Sequence, residues 1–297
     1  MSPAAFAGLM EKTYNCRCAS CASIKAETNE DFSLDDEELL AVLRQIYDRD
    51  FDVSADIQRV LWEHTRKFLD KAVDTAFKLS YKGNKDFVEK LKYNNAVFAA
   101  FKAHRQQNDL AALLIDDEGK PRSFNDFRKA AEPVIAAYNV NWLETEYVTA
   151  IRSGRTAELF KRYERDKDLY PNVRWLPSRA ADPRVSHMSY YNQVRSLKDK
   201  WWQTHYPGCL WNCQCDTENT DDKITHVGDR LATESEKAKS EAKIPDTVSK
   251  GLDQNPAFSG SIFSKTHPYI AEADEAAREA VRKFIKKEVG DGKTDQD

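Results

Sequence analysis

The chain has 297 residues, a formal net charge of −4, 41% hydrophobic residues and 32% charged residues. This length is enough for one large domain or two smaller ones, with a real hydrophobic core in either case. The slightly acidic balance argues against a protein that simply coats DNA, and no apolar run approaches the length of a membrane span.

The first segment, residues 1–30, is predicted to be a cysteine-containing leader. Residues 1–10 are too short and too weakly apolar for a signal peptide, so we expect synthesis in a cytoplasm where thiols stay reduced. Cys16, Cys18 and Cys21 form a C-x-C-x-x-C cluster. Three thiolates suit zinc, but a four-ligand structural site needs one more group that the sequence does not identify. The alternative is a disordered leader without metal.

Residues 31–150 are predicted to form a helical arm. A capping-box-like start at Ser33 precedes the first apolar stripe, and a second helix is expected to open near Ser54. Phenylalanines at helical spacing indicate a third helix from about Lys85 to near His104.

The later part of the arm continues the helical pattern. Ser123 is a plausible helix cap, and Pro133 is expected to start a new helix or to bend one. Apolar residues recur at helical spacing over residues 138–151, and Gly154 is a candidate interruption of that helix.

Residues 151–220 are predicted to form a compact core with a few short strands, the first at residues 173–176. Cys213 and Cys215 form a C-x-C, with Cys209 and His205 shortly before them. Residues two apart on a strand point to the same face, so the two sulfurs can share one metal or one buried pocket. We therefore predict a zinc site from Cys209, Cys213, Cys215 and His205. The alternative is a metal-free strand face buried beside Trp211.

The same segment carries unusual residues in a defined order. They are Asp182, Arg184, Val185 and His187, then Trp202 and Pro207, then Trp211-Asn212-Cys213-Gln214-Cys215. This order resembles the D-x-R-V-x-x-H … W … P-P-x-x-W-N-C-R-C signature of the Mu gpF-like minor head proteins of tailed bacteriophages, over about residues 140–216. Two positions depart from it. Gln214 stands where the family usually has Arg, and Gly208-Cys209 replaces the usual second Pro.

The resemblance implies a minor capsid or head morphogenesis protein that resides in the virion after assembly in the host cytoplasm. It implies the portal protein and capsid proteins as partners, with a role in DNA packaging and possible local contact with packaged DNA. From the residues alone, Asp182 and Arg184 are expected to pair and pin a turn, while His187 and the Cys/Trp cluster fasten a small subdomain.

Catalytic signatures are missing from the sequence. It contains no G-x-x-x-x-G-K-[ST], no G-x-G-x-x-G, no H-E-x-x-H and no H-x-E…P-C-x-x-C, the signature that would place an acid or base beside zinc-binding cysteines. We therefore predict a protein that is not an enzyme. The alternatives are a zinc-dependent hydrolase or nuclease-type effector carried by the phage, and an interaction adaptor outside any virion.

Residues 221–297 are predicted to form a polar helical tail. It comprises a Glu/Lys-rich helix over residues 229–243, a loop that contains His267-Pro268-Tyr269, and an amphipathic closing helix over residues 272–289. The predicted fold class is α+β and predominantly helical. An N-terminal helical arm precedes a small Cys/Trp-rich subdomain with short antiparallel strands.

Overall fold

The structure is a computed structural model that describes residues 1–14, 30–180, 183, 185–227 and 248–290. Three predictions fall outside these residues: the cluster of Cys16, Cys18 and Cys21, the pair of Asp182 and Arg184, and the helix over residues 229–243. The division of the chain into four segments stays a prediction. The fold class is confirmed, because helices dominate and the described strands form one small antiparallel sheet.

The helices are numbered here in chain order. They are α1 (Pro3–Tyr14), α2 (Asp36–Asp48), α3 (Arg59–Phe77), α4 (Lys85–Ala111), α5 (Phe124–Ile135), α6 (Trp142–Asp166), α7 (Val185–Met188), α8 (Pro256–Ser259), α9 (Pro268–Ala271) and α10 (Glu275–Glu288). Short 3-10 turns occur at Tyr81–Gly83, Ala112–Leu114 and Lys200–Gln203, and a π-helical turn at Ala136–Asn141 separates α5 from α6.

The first helix was missed by the sequence analysis, which assigned its residues to a leader. Phe6, Met10 and Tyr14 repeat every fourth residue, and all three side chains are buried. Side chains four apart lie on one face of a helix, so α1 packs this stripe against the rest of the protein. Its last residue, Tyr14, contacts Trp211 edge-on with ring centroids 4.5 Å apart.

Helix α4 is the centre of the helical part. Residues 98–103 are all buried, and a run of this length covers the whole circumference of a helix. Helices α3, α9 and α10 pack around it. This helix extends to Ala111, beyond the end predicted near His104.

Helices α3 and α6 pack closely side by side. A Cβ atom added at Gly154 of α6 would lie 2.8 Å from Cβ of Ala76 on α3. Gly154 therefore permits a close helix–helix approach, and the prediction that it interrupts the helix is wrong, because α6 runs through it.

Other helix boundaries agree in part with the sequence analysis. The cap of α2 is Asp35, not Ser33, and its carboxylate accepts hydrogen bonds from the next backbone amides. Helix α3 begins at Arg59, after the start predicted near Ser54. Ser123 caps α5 as predicted, and Pro133 lies inside α5 just before the π-helical turn. A proline and a π-helical turn are two common causes of a bend along a helix.

The sheet has three strands in the order β2-β1-β3, with β1 (Asn172–Leu176) between β2 (Val194–Ser196) and β3 (Asp216–Thr220). Both pairings are antiparallel, as predicted. Val173 and Trp175 point to the same face of β1, and both are fully buried. On the opposite face, Arg174 pairs with Glu218 of β3 at 2.7 Å.

The last helices return to the same hydrophobic core. Phe263 stacks on Phe98 of α4 with ring centroids 4.0 Å apart, and Trp211 stacks on Phe263 at 6.1 Å. The C-terminal part therefore connects α4 to the segment that carries the cysteines. Within the described ranges, no helix is both long enough and apolar enough to cross a membrane.

Candidate metal centre

The one-turn helix α7 places His187 under the sheet. Helix α7 lies between β1 and β2 in the chain. The imidazole of His187 packs edge-on against Trp175 with ring centroids 5.3 Å apart. Only 2% of His187 is exposed. The ring is therefore held by the aromatic core of the sheet instead of projecting into solvent.

Two residues with a positive φ set the backbone path of the cysteine segment, residues 208–215. Gly208 has a φ of 114°, a conformation that a glycine adopts readily and that a proline cannot adopt. Asn212 has a φ of 60°, in the left-handed region that asparagine tolerates better than most residues. The turn at Asn212 lets Trp211 enter the core beside Tyr14 while Cys213 joins the group around His187. This gives a physical reason for asparagine between the tryptophan and the first cysteine of the C-x-C.

Two sulfurs meet one nitrogen of His187. Nδ1 lies 3.4 Å from Sγ of Cys213 and 3.5 Å from Sγ of Cys215. The three donor atoms all lie within 4.8 Å of one another. In a tetrahedral zinc site, bonds of about 2.0 Å to nitrogen and about 2.3 Å to sulfur place these atoms roughly 3.6 Å apart. The spacing of His187, Cys213 and Cys215 therefore matches one shared zinc ion.

The other two predicted ligands lie differently. Sγ of Cys209 approaches the opposite nitrogen of the ring, Nε2 of His187, at 3.6 Å. His205 stacks on Trp201 with ring centroids 4.6 Å apart, and its Nδ1 lies 2.9 Å from the hydroxyl of Thr204. Neither residue belongs to the group of three donors found among the described residues.

The nitrogen donor is thus a residue that the sequence analysis had placed in the structural motif. His187 and Cys213 are 26 positions apart in the chain. Nothing in the local spacing indicates that they meet, because the chain forms α7, β2 and several turns between them. The sequence signal for His187 was the resemblance to the head-protein signature, which includes a histidine after D-x-R-V but does not indicate its partner.

Charges and hydrogen bonds couple the side chains of this site. Burial alone would lower the pKa of His187, but the charge on Cys213 and hydrogen bonds to Cys209 and Cys213 raise this pKa to about 11. The hydrogen bond from Cys215 holds the pKa of Cys213 well below its usual value despite burial, and His187 lowers it further. The same bond, together with burial, raises the pKa of Cys215. A bound metal would take the place of the proton on Nδ1 of His187 and of the thiol protons.

The donors are mostly shielded from solvent. His187, Cys209 and Cys213 are buried, and Cys215 is half-buried. Two thiolates and one imidazole are a soft donor set that suits zinc. A metal there would join α7, which follows β1, to the segment that leads into β3. The group of donors can therefore connect the chain that follows β1 to the chain that precedes β3.

The remaining motif residues that the structure describes contact the sheet and the helical part. The indole of Trp202 is fully buried, stacks parallel to Trp175 at 6.2 Å and donates from Nε1 to the Ser196 carbonyl at 3.0 Å. The carbonyl of Pro207 accepts a 2.6 Å hydrogen bond from Thr156 of α6. These contacts attach the cysteine segment to the sheet and to the helical part.

A second polar cluster lies outside the motif and was not found from the sequence. Lys102 of α4 and Glu146 of α6 form a salt bridge of 2.6 Å with both side chains fully buried. Tyr14 and His267 adjoin this pair through hydrogen bonds. Of the four residues, the sequence analysis mentioned only His267, within the short run His267-Pro268-Tyr269.

Comparison with known proteins gives one informative match. Over 103 residues, the chain is 30% identical to the putative capsid assembly protein F of Escherichia phage Mu. The match covers 35% of this chain and 21% of that protein, so it spans about a fifth of the length of the relative. No protein-family model matches the chain, and no solved structure matches it. About a third of the chain therefore resembles a phage capsid assembly protein.

Proposed function

We propose that this chain is a minor head protein of a tailed phage or prophage. In this proposal it associates with the portal and the inner capsid during head assembly and DNA packaging, and it remains in the virion. The similarity to the capsid assembly protein of phage Mu carries the proposal. Residues that resemble the head-protein signature also support it, since Trp202 and Trp211 are buried and Asn212 has a positive φ.

Co-expression tests the assignment. The chain is produced together with the portal and capsid proteins of the same phage, and portal complexes and assembled heads are purified and imaged by electron microscopy. We expect the chain in portal complexes, in heads or in both. Heads assembled without the chain serve as the control. Its absence from both portal complexes and finished heads would overturn the proposal.

We also propose that His187, Cys213 and Cys215 supply three of the four ligands of a structural zinc ion. The matching N···S distances and the buried, soft donor set support this assignment. Protein purified under reducing conditions without chelator should contain one zinc ion at this centre, and a second if Cys16, Cys18 and Cys21 also bind one. Replacing Cys213 and Cys215 by serine should remove one zinc ion per chain. An unchanged zinc content in that variant would overturn the assignment.

The alternative function is a zinc-dependent hydrolase or nuclease-type effector. Its specific support is the number of donors, because catalytic zinc sites often use three protein ligands and keep one position open. Hydrolysis also needs an acid or base near the metal, and no carboxylate belongs to the donor group within the described residues. Incubation of zinc-loaded protein with nucleic acid and with peptide separates the two functions. Turnover that is lost in the Cys213→Ser variant would favour the enzyme.

A further inference from the structure

The two nitrogens of His187 face different sulfurs. Nδ1 approaches Cys213 and Cys215 at 3.4 and 3.5 Å, whereas Nε2 approaches Cys209 at 3.6 Å. The lone pair or hydrogen on each ring nitrogen lies in the ring plane and points away from the other nitrogen. A metal bonded to Nδ1 therefore lies on the side of the ring that is opposite to Cys209.

The backbone keeps Cys209 in this place. Its N–H donates to the carbonyl of Tyr206 at 3.0 Å, and its own carbonyl accepts from the N–H of Ser249 at 2.8 Å. The residue is fully buried, next to Gly208 and its positive φ. The sulfur is thus held against Nε2 by main-chain bonds on both sides of the residue.

We propose that Cys209 is a positioning residue of the zinc centre and not a ligand. Its sulfur accepts the hydrogen bond from Nε2–H of His187, which fixes the proton on Nε2 and leaves the lone pair of Nδ1 to face the metal. Histidines that bind metals commonly donate their other N–H to such a partner, and loss of the partner weakens metal binding by about 10- to 100-fold. The inference rests on the proposed zinc site, and it changes the ligand set that the cysteine spacing predicts.

Cobalt substitution can count the thiolate ligands directly. Co²⁺ bound in place of zinc shows a near-ultraviolet sulfur-to-cobalt band whose intensity per ion rises with each thiolate that is bound. Cys16, Cys18 and Cys21 are replaced by serine in every sample, so that only the proposed centre supplies thiolates. The full-length chain is otherwise unchanged.

The expected result is a band of two-thiolate intensity that keeps its intensity in Cys209→Ser and falls to about half in Cys213→Ser. Cys209→Val, which cannot accept a hydrogen bond, should weaken Co²⁺ binding by about 10- to 100-fold, and the serine variant should recover part of that loss. Serine is nearly the same size as cysteine. If the valine variant fails to fold, the band of the serine variant therefore still decides the question.

Two other outcomes would overturn the inference in different ways. A three-thiolate band that loses a third of its intensity in Cys209→Ser would make Cys209 a ligand while leaving the zinc site in place. An absence of Co²⁺ and Zn²⁺ binding by the chain that retains Cys209, Cys213 and Cys215 would remove the zinc site and the positioning role together.

Discussion

Nζ of Lys102 lies 2.6 Å from Oε2 of Glu146, and neither side chain is exposed to solvent. Burial lowers the pKa of Lys102 and raises that of Glu146, while their mutual attraction opposes both shifts. The hydroxyl of Tyr14 donates to Oε1 of Glu146 at 2.9 Å and lies 2.7 Å from Nε2 of His267. Nδ1 of His267 accepts from the N–H of Tyr269, so Nε2 carries the hydrogen and donates to Tyr14. This chain of bonds joins α1, α4, α6 and the start of α9.

The first prediction concerns that ion pair. Lys102→Met should lower the free energy of unfolding by about 3–5 kcal/mol, because it leaves the carboxylate of Glu146 buried without its cation. The double variant with Glu146→Gln should recover most of the loss, since the amide oxygen of glutamine is neutral and still accepts from Tyr14. Urea unfolding of the single and double variants measures both values. A single variant as stable as the wild type would contradict the buried pairing.

The second prediction concerns the contact of α3 with α6. Gly154→Ala should destabilise the protein by about 1–3 kcal/mol, because the new Cβ would lie 2.8 Å from Cβ of Ala76. Adding Ala76→Gly should restore stability close to that of the wild type. Gly8→Ala in α1 is the matched control, because a Cβ there meets no atom within 4 Å and should leave stability equal or slightly higher. Equal effects of the two glycine substitutions in thermal melts would contradict the close approach.

The sequence predicts local features of this protein better than contacts between distant segments. Ser123 as a cap and the short antiparallel strands were found because their signals lie within a few residues. Helix α1 also had a local signal in its fourfold spacing of buried side chains, but it lies in the part that was assigned to a leader. The contact of Lys102 with Glu146 spans 44 positions, and it forms because α4 and α6 both pack against α3.

In the candidate metal site, too, the local feature was predicted and the contact between distant segments was not. The C-x-C spacing predicts that Cys213 and Cys215 can share one metal or one pocket, and their sulfurs lie within 4.8 Å of each other. The predicted nitrogen donor was His205, because it is close in the chain, whereas the donor that joins the sulfurs in space is His187. The pairing of β1 with β2 and the one-turn helix α7 place His187, and not His205, beside the sulfurs. Neither feature can be obtained from residue spacing alone.

The third prediction concerns acid sensitivity. Burial, together with the charges of Lys102 and Lys67, lowers the pKa of His64 to about 4, although a hydrogen bond with the Phe32 carbonyl opposes this shift. The unfolded chain, with its ordinary pKa near 6.5, binds more protons than the folded chain between about pH 6.5 and 4. The part of the free energy of unfolding that depends on neutral His64 is therefore fully present above pH 6.5 and is lost as the pH falls towards 4.

His64→Gln should remove this component. Between pH 7 and pH 5, the wild type should lose about 2 kcal/mol more of its free energy of unfolding than the variant does. The amide of glutamine can still donate to the Phe32 carbonyl. His104→Gln is the control, because that ring also contacts a backbone carbonyl, that of Ser54 at 3.0 Å, near the surface. Parallel pH profiles for the wild type and His64→Gln would contradict the prediction.

The fourth prediction concerns the turn between Trp211 and Cys213. Asn212→Val should lower the free energy of unfolding by about 1–2 kcal/mol, because a β-branched residue is strained at a φ of 60°. Asn212→Gly should be nearly neutral. Asn141→Val is the matched control, since Asn141 has a right-handed helical φ of −66° and is exposed. Denaturant unfolding compares the three variants, and equal losses for the two valines would show that the left-handed backbone is not what asparagine supports.

The last prediction links the metal to folding. The unfolded chain does not hold His187, Cys213 and Cys215 together, so the proposed zinc ion should bind the folded state and stabilise it. At a free zinc concentration of 100 times Kd, the gain is roughly 3 kcal/mol, which corresponds to a melting temperature about 5–10 °C higher for a chain of this size. A chelator should lower the melting temperature by that amount, and added zinc should restore it.

Two sets of variants assign the effect to this centre. With serine also at positions 16, 18 and 21, the chain with Cys213→Ser and Cys215→Ser should melt at or below the temperature of the chelator-treated wild type, and neither chelator nor zinc should change its melting temperature. The chain with serine at positions 16, 18 and 21 is the control, because it retains the donors at His187, Cys213 and Cys215 and should still respond to both reagents. Zinc-loaded and chelated wild-type proteins that melt at the same temperature would show that these three residues form a buried hydrogen-bonded group and hold no structural zinc.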